Sequence, residues 1–279
     1  MAILRAAASS GAYLPRMPDL ERPGDVRIHW EQRGDGPVVA LAGMFNSPPS
    51  VLGGLAGELS ADHRVVTYDL RGNGRSTHVG PYDIATDAED LAAIIEAAGS
   101  PAVIVAVGYG AHPAMRLAVA QPDLARAIVI SGTLPLGRGP AQASGGLSAS
   151  GSVLAAFTRM YEVDQRAAMR STVGSGNPNL SEDQIRDRVE EMVAYSTTEG
   201  GLARLRAWIA DDVSQDGPAI SDRLWVLCYE GNPWFPATLA DGMRAVLPNA
   251  HFQAVEDGAI SRPDLTAAVV RRITNAAGD

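Results

Sequence analysis

Six short apolar runs recur along the chain, at 38–43 (VVALAG), 63–70 (HRVVTYDL), 102–107 (AVIVAV), 127–132 (AIVISG), 223–229 (RLWVLCY) and 251–256 (HFQAVE). A run such as AVIVAV has no polar side to give to water, so a strand made of it is buried on both faces. A parallel sheet covered by helices meets that condition. Segments 87–98, 111–120, 239–247 and 265–273 supply the helices, with apolar residues at helical spacing. The expected fold class is therefore α/β, a mostly parallel sheet with helices on both faces. Residues 26–34 (VRIHWEQRG) alternate instead and read as an antiparallel edge.

The strand-helix rhythm breaks once. Between Thr133 and Pro218 there is no strong strand signal, only a Gly/Ser-rich stretch, GRGPAQASGGLSASGS, followed by helical segments. One of these opens with a capping box, Ser181 with Gln184, and is expected to close at Gly200 and Gly201. The expected organisation is an N-terminal arm (1–24), a core built from 25–133 and 218–279, and a helical lid (134–217). At 279 residues the chain suits one α/β domain carrying such an insertion.

Charge and residue usage exclude several functions. A formal net charge of -9 repels phosphates, so nucleic acid is not an expected partner. All 23 basic residues other than histidine are arginine, and the absence of lysine removes Schiff-base chemistry and a lysine-dependent phosphate loop. The single cysteine, Cys228, cannot close an internal disulfide and lies in the apolar run LWVLCY, as core filler. The N-terminal MAILRAAASSGAYL is too weakly apolar for a secretory signal, and no stretch reaches membrane-spanning length. A cytoplasmic protein with no membrane partner is expected. His29, His63, His78 and His251 lie apart in the sequence, so no metal site is expected, and no cofactor.

Two turns carry a resemblance. After the first buried strand comes AGMF, and after the next comes DLRGNGRS (69–76), which matches the DxRGxGxS turn of the α/β-hydrolase superfamily. The likeness runs from about Val26 to the C-terminus. It implies an eight-stranded, mostly parallel sheet, a helical lid, and a GxSxG elbow whose serine projects at positive φ. In this chain the corresponding strand runs into VGYGAHPAM. The small residues and proline that the superfamily keeps after its nucleophile fall on Ala114, Ala118 and Pro122, which places Gly108 where the serine would stand. Glycine preserves the turn because it reaches positive φ without a Cβ penalty. The superfamily's acid maps to Asn232 in NPWFP, its histidine maps nearest to Ala259 in VEDGAISRP, and the histidine before the oxyanion glycine maps to Ala42. On this alignment neither a nucleophile nor an imidazole base is present.

Other residues can still act. Tyr109 follows the apex, so its backbone N–H is expected at the oxyanion position; its phenol either reaches the cavity or fills the space left by the serine. His112 lies in the first helical turn, as a neutral imidazole near the site or as a packing residue. Glu230 and Asp257 sit at strand ends, where this fold gathers ligands, and Asp257 is the preferred general base. Met44, Phe45 and Trp234 are expected to line an apolar crevice above Gly108. GYGAHP also suggests a dinucleotide fingerprint, but Pro113 replaces its third glycine. The leading expectation is a non-hydrolytic lyase or cyclase acting on an apolar, polyketide-like small molecule, with Tyr109, Asn232 and Asp257 as polar contacts. A non-catalytic binding protein and an esterase or hydrolase with a relocated catalytic set are the alternatives.

Overall fold

The computed structural model describes residues 19–131, 146–176, 180–212, 216–229, 244 and 247–276. The apolar runs become strands: β1 (Leu20–Arg22), β2 (Val26–Ile28), β3 (Trp30–Arg33), β4 (Val38–Ala42), β5 (Arg64–Tyr68), β6 (Ala102–Val107), β7 (Ala125–Ser131), β8 (Leu224–Tyr229) and β9 (His251–Val255). The helices are α1 (Gly53–Leu59), α2 (Ile84–Ala98), α3 (Ala111–Ala120), α4 (Gly146–Val163), α5 (Gln165–Gly176), α6 (Glu182–Tyr195), α7 (Thr198–Ala210), α8 (Gly217–Ile220) and α9 (Pro263–Asn275). The helix expected at 239–247 lies outside the described residues, apart from Arg244 and Leu247.

One sheet runs in the order β3-β5-β4-β6-β7-β8-β9, with β3 antiparallel to β5 and every other pair parallel. Among the described residues it has seven strands, not the eight that the resemblance implied. The chain breaks at His29, whose N–H donates to Ser76 Oγ (2.9 Å) and whose carbonyl accepts from Asp69 N–H (2.9 Å). With its backbone taken by that turn, His29 ends the ladder. β2 pairs with β1 in a separate hairpin, and only β3 joins the sheet edge.

All six residues of β6 are buried, and they alternate between two cores. Ala102, Ile104 and Ala106 face the core closed by α2 and α3; Val103, Val105 and Val107 face the core closed by α1 and α9. The ladders align Ala42 with Ala106 and Val107 with Ser131, so β4, β6 and β7 end at one rim. In an open parallel sheet this rim is where ligand-binding loops gather. Among the described residues no helix is long and apolar enough to cross a membrane.

Helices α4 to α7 follow β7 and precede β8. The capping box forms as read, with Ser181 Oγ accepting from Gln184 N–H (3.3 Å) and Gln184 Oε1 accepting from Ser181 N–H (2.8 Å). The expected helix end at Gly200 and Gly201 does not occur. Helix α6 stops at Tyr195, and the glycines lie in the first turns of α7 behind the N-cap Thr197. Packing explains Gly201: a Cβ there would fall on the Tyr161 hydroxyl, with ring carbon Cζ only 2.8 Å away. Helix propensity alone favours Gly201→Ala by up to about 1 kcal/mol. The crowding outweighs it, so urea denaturation should show Gly201→Ala destabilised by about 1–3 kcal/mol, with part of the loss recovered by adding Tyr161→Phe.

Candidate active site

Val107 hands over to Gly108 at the rim, and Gly108 has φ +58. The 3₁₀ turn 108–110 then leads directly into α3. A Cβ on Gly108 would lie 2.7 Å from Met44 Cγ and 3.3 Å from its sulfur, so the Met44 side chain sits where an apex side chain would project. Gly110 is fixed by close approach: a Cβ there would strike the Ala42 carbonyl, 2.7 Å from its carbon. The elbow is thereby wedged against the end of β4. Beside it is a cleft of about 30 Å³, lined in part by Gly43, Met44, Leu52, Val107, Tyr195 and Ile260. That is room for about two water molecules.

Tyr109 is fully buried, and its hydroxyl donates to Asp87 Oδ2 at 2.7 Å. The expectation that this phenol meets the cavity gives way to a structural tie. Asp87 also receives Arg204 from α7, with Nε to Oδ2 and Nη2 to Oδ1 both at 2.7 Å, and neither side chain is exposed. Arg204 Nη2 further donates to the Arg71 carbonyl (2.8 Å). Burial and then the Asp87 charge push the Tyr109 hydroxyl well above the usual tyrosine range, so it is not an acid or base near neutrality. Arg71 holds Asp90 with two bonds (3.0 and 2.8 Å), while Ser76 Oγ donates to the Asp69 carbonyl (2.6 Å) and Asp69 Oδ2 accepts from Arg75 N–H (2.9 Å). Asp69, Arg71 and Ser76 therefore hold the DLRGNGRS turn.

His112 is buried and fully committed. Its Nε2 accepts from Trp208 Nε1–H (2.9 Å), which leaves Nδ1–H to donate to Asp211 Oδ2 (2.6 Å). Arg116 joins Asp211 (2.6 Å) and pairs with Asp216. Burial raises the Asp211 carboxyl, but hydrogen bonds from His112 and Arg116 overcome it and hold Asp211 below its ordinary 3.8. The residues on both sides of Gly110 and Ala111 are thus fastened, Tyr109 to Asp87 of α2 and His112 to Trp208 of α7 and its C-cap Asp211.

The remaining expected residues divide. Asp257 is half-buried after β9 and accepts from Gly258 N–H (2.7 Å). Ala259 is buried, its N–H donating to Ser131 Oγ (3.1 Å) at the end of β7. Met44 borders the cleft, whereas Phe45 is 1 % exposed and packs edge-on against Tyr109 at 5.7 Å, as core. Glu230, Asn232 and Trp234 lie outside the described residues. Asp87, Arg204, Trp208 and Asp211 escaped sequence reading. The available signal was a charge on an otherwise apolar helix face: Asp87 is flanked by Ile84, Ala88 and Leu91, all buried.

Removing one member of a buried ion pair strands the other, so Arg204→Met should cost about 3–5 kcal/mol in chemical denaturation, and Asp87→Leu in that background should recover much of it. The Asp211 carboxyl titrates lower in the folded state than in the unfolded chain. Its contribution is therefore complete above pH 3.8 and fades as pH falls below it. Asp211→Asn should flatten the acid limb of a stability-versus-pH curve.

The sequence profile of the alpha/beta hydrolase family matches residues 33–269. RutD of Azorhizobium caulinodans, described as a candidate carbamate hydrolase, is 35% identical over 117 residues, covering 38% of this chain and 41% of that protein. A 2-(acetamidomethylene)succinate hydrolase of Mesorhizobium japonicum is 26% identical over 204 residues, covering 72% of this chain and 69% of the relative. Among solved structures, an esterase from Exiguobacterium antarcticum superposes with a TM-score of 0.76 at 15% identity, over 90% of this chain and 96% of its own, which speaks to the fold alone. A profile match over most of the chain, on a sheet with this strand order and an elbow running into α3, makes the protein a member of the alpha/beta hydrolase family.

Proposed function

We propose that this chain is a hydrolase-family enzyme that works without an acyl-enzyme, acting on a small carbonyl compound held at the strand-end rim. One observation carries the reading: Gly108 keeps φ +58 and leads straight into α3, yet offers no side chain to attack. The carbonyl-binding half of the elbow is kept and the nucleophilic half is absent. A substrate carbonyl oxygen over Gly108 meets the N–H of Tyr109 in the 3₁₀ turn that leads into α3, where aligned peptide dipoles favour developing negative charge. The Tyr109 contribution is its backbone; its phenol serves Asp87.

Water supplies the attacking oxygen. Asp257, half-buried at the same rim, takes its proton as a bond forms from water oxygen to the carbonyl carbon. The tetrahedral centre then expels the alcohol or amine, which receives that proton from Asp257. Asn232, Glu230 and Trp234 are proposed as further contacts from the segment after β8. The relatives are named as hydrolases, which supports hydrolysis over elimination or cyclisation.

A binding-only role is the second reading. It is favoured by Met44, whose side chain fills the place above the apex. A panel of aryl esters, amides and carbamates tests both. Turnover is expected with no labelling by a serine-directed fluorophosphonate and no acyl transfer to added alcohols, and Asp257→Asn should lower kcat by about 10²–10⁴-fold. Covalent labelling at the elbow overturns the proposal. Absence of turnover across the panel, with ligand binding retained, selects the binding-only role.

A further inference from the structure

A larger space than the cleft lies on the other side of Tyr195: a groove of about 320 Å³ between β3, the DLRGNGRS turn and the chain leading into α1. We infer that this groove is a binding site for a small molecule bearing a carboxylate, held between Arg33 and Arg75.

The charges lining the groove are unevenly matched. Arg75 Nη2 donates to Glu31 Oε1 at 2.8 Å, while Arg33 Nη2 lies 3.9 Å from Glu31 Oε2, too far for a hydrogen bond. The buried Asp69 accepts from the Arg75 backbone N–H (2.9 Å) and the Tyr195 hydroxyl (3.2 Å), and its Oδ2 also lies 3.5 Å from Arg75 Nε. Two carboxylates, Glu31 and Asp69, therefore answer Arg75, and neither comes within hydrogen-bond reach of Arg33; the two guanidinium side chains are 57 % and 56 % exposed. The Arg75 hydrogen bond, outweighing burial, holds Glu31 below the ordinary carboxylate range. His29 sits in the floor, its Nε2 buried without a hydrogen bond and 3.5 Å from Glu31 Oε1. A buried polar atom with no partner calls for an ordered water or a ligand group. Guanidiniums bind carboxylates through two parallel N–H bonds, so a ligand carboxylate between Arg33 and Arg75 supplies the acceptor that Arg33 lacks.

The groove and the cleft beside Gly108 share Pro48, Pro49, Thr67, Tyr68 and Tyr195 in their linings. A molecule anchored by its carboxylate in the groove reaches over Pro48 and Pro49 toward the elbow. If the hydrolytic reading holds, the substrate class becomes a short carboxylic acid with its reacting carbonyl at the far end; this extension rests on that reading, and the anion site does not.

Binding, measured apart from turnover, tests the site. In titration calorimetry at low salt, succinate should bind saturably and neutral succinamide should not. Arg33→Gln and Arg75→Gln should each weaken succinate by about fivefold or more, and raised salt should weaken it further. Arg33 makes no close bond, so Arg33→Gln should keep the native melting temperature and report on binding alone. Arg126→Gln, exposed at the opposite end of β7 and four strands away from β3, should leave binding unchanged. Lack of saturable succinate binding, equal affinity in the Arg33 and Arg75 variants, or succinamide binding as well as succinate would overturn the inference. Succinate binding without turnover of any ester or amide would leave it standing and remove the hydrolytic reading.

Discussion

A carboxylate and a guanidinium with no access to water, Asp87 and Arg204, lie between α2 and α7, and two separate pieces of the rim depend on them. Asp87 accepts the Tyr109 hydroxyl and so fixes the residue after the apex; Arg204 donates to the Arg71 carbonyl and so fixes the turn after β5. Taking two charges out of water is unfavourable unless geometry and further hydrogen bonds compensate. Here two short bonds join the pair, and the phenol supplies a third donor. What the pair gives in return is placement. With His112 and Arg116 holding Asp211 at the C-cap of α7, that helix is a strut against the elbow, pinned by charge at its middle and at its C-terminal cap, with Trp208 between them packed edge-on against Tyr109.

The same pinning accounts for how an elbow without a serine keeps its shape. In a family member the strained apex is held against its own conformational preference by the surrounding structure. A glycine carries no such strain. The short turn is then set from outside, by Gly110 pressed on the Ala42 carbonyl and by the ties from Tyr109 and His112 to α2, α7 and its cap. Rigidity around a carbonyl-binding position has chemical value even without a nucleophile, because preorganised N–H groups need no rearrangement as charge develops.

The sheet was legible in the sequence because continuous apolar runs have few alternatives: 102–107 and 111–120 are read to the residue, and the other strands differ by one or two positions at their ends. Register with Ala114, Ala118 and Pro122 pointed to Gly108, and Gly108 does carry positive φ at the turn into α3. What escaped were interactions between distant segments. Arg204 and Asp87 are 117 residues apart, and nothing local in either helix tells of the other. The glycines at 200 and 201 misled for a related reason: they look like a helix end, but Tyr161 of α4 needs the space. Among the described residues the sheet stops at seven strands because the backbone of His29, which separates β2 from β3, is claimed by the turn after β5.

Met44 limits what the apex can carry. A hydroxymethyl placed on Gly108 would run into the Met44 side chain, and an imidazole in place of the buried Ala259 would have to be fitted around the Ser131 contact that holds that backbone. Each addition is obstructed by a different neighbour. Installing a nucleophile and its base on this scaffold therefore demands several coordinated replacements, none of which is useful by itself.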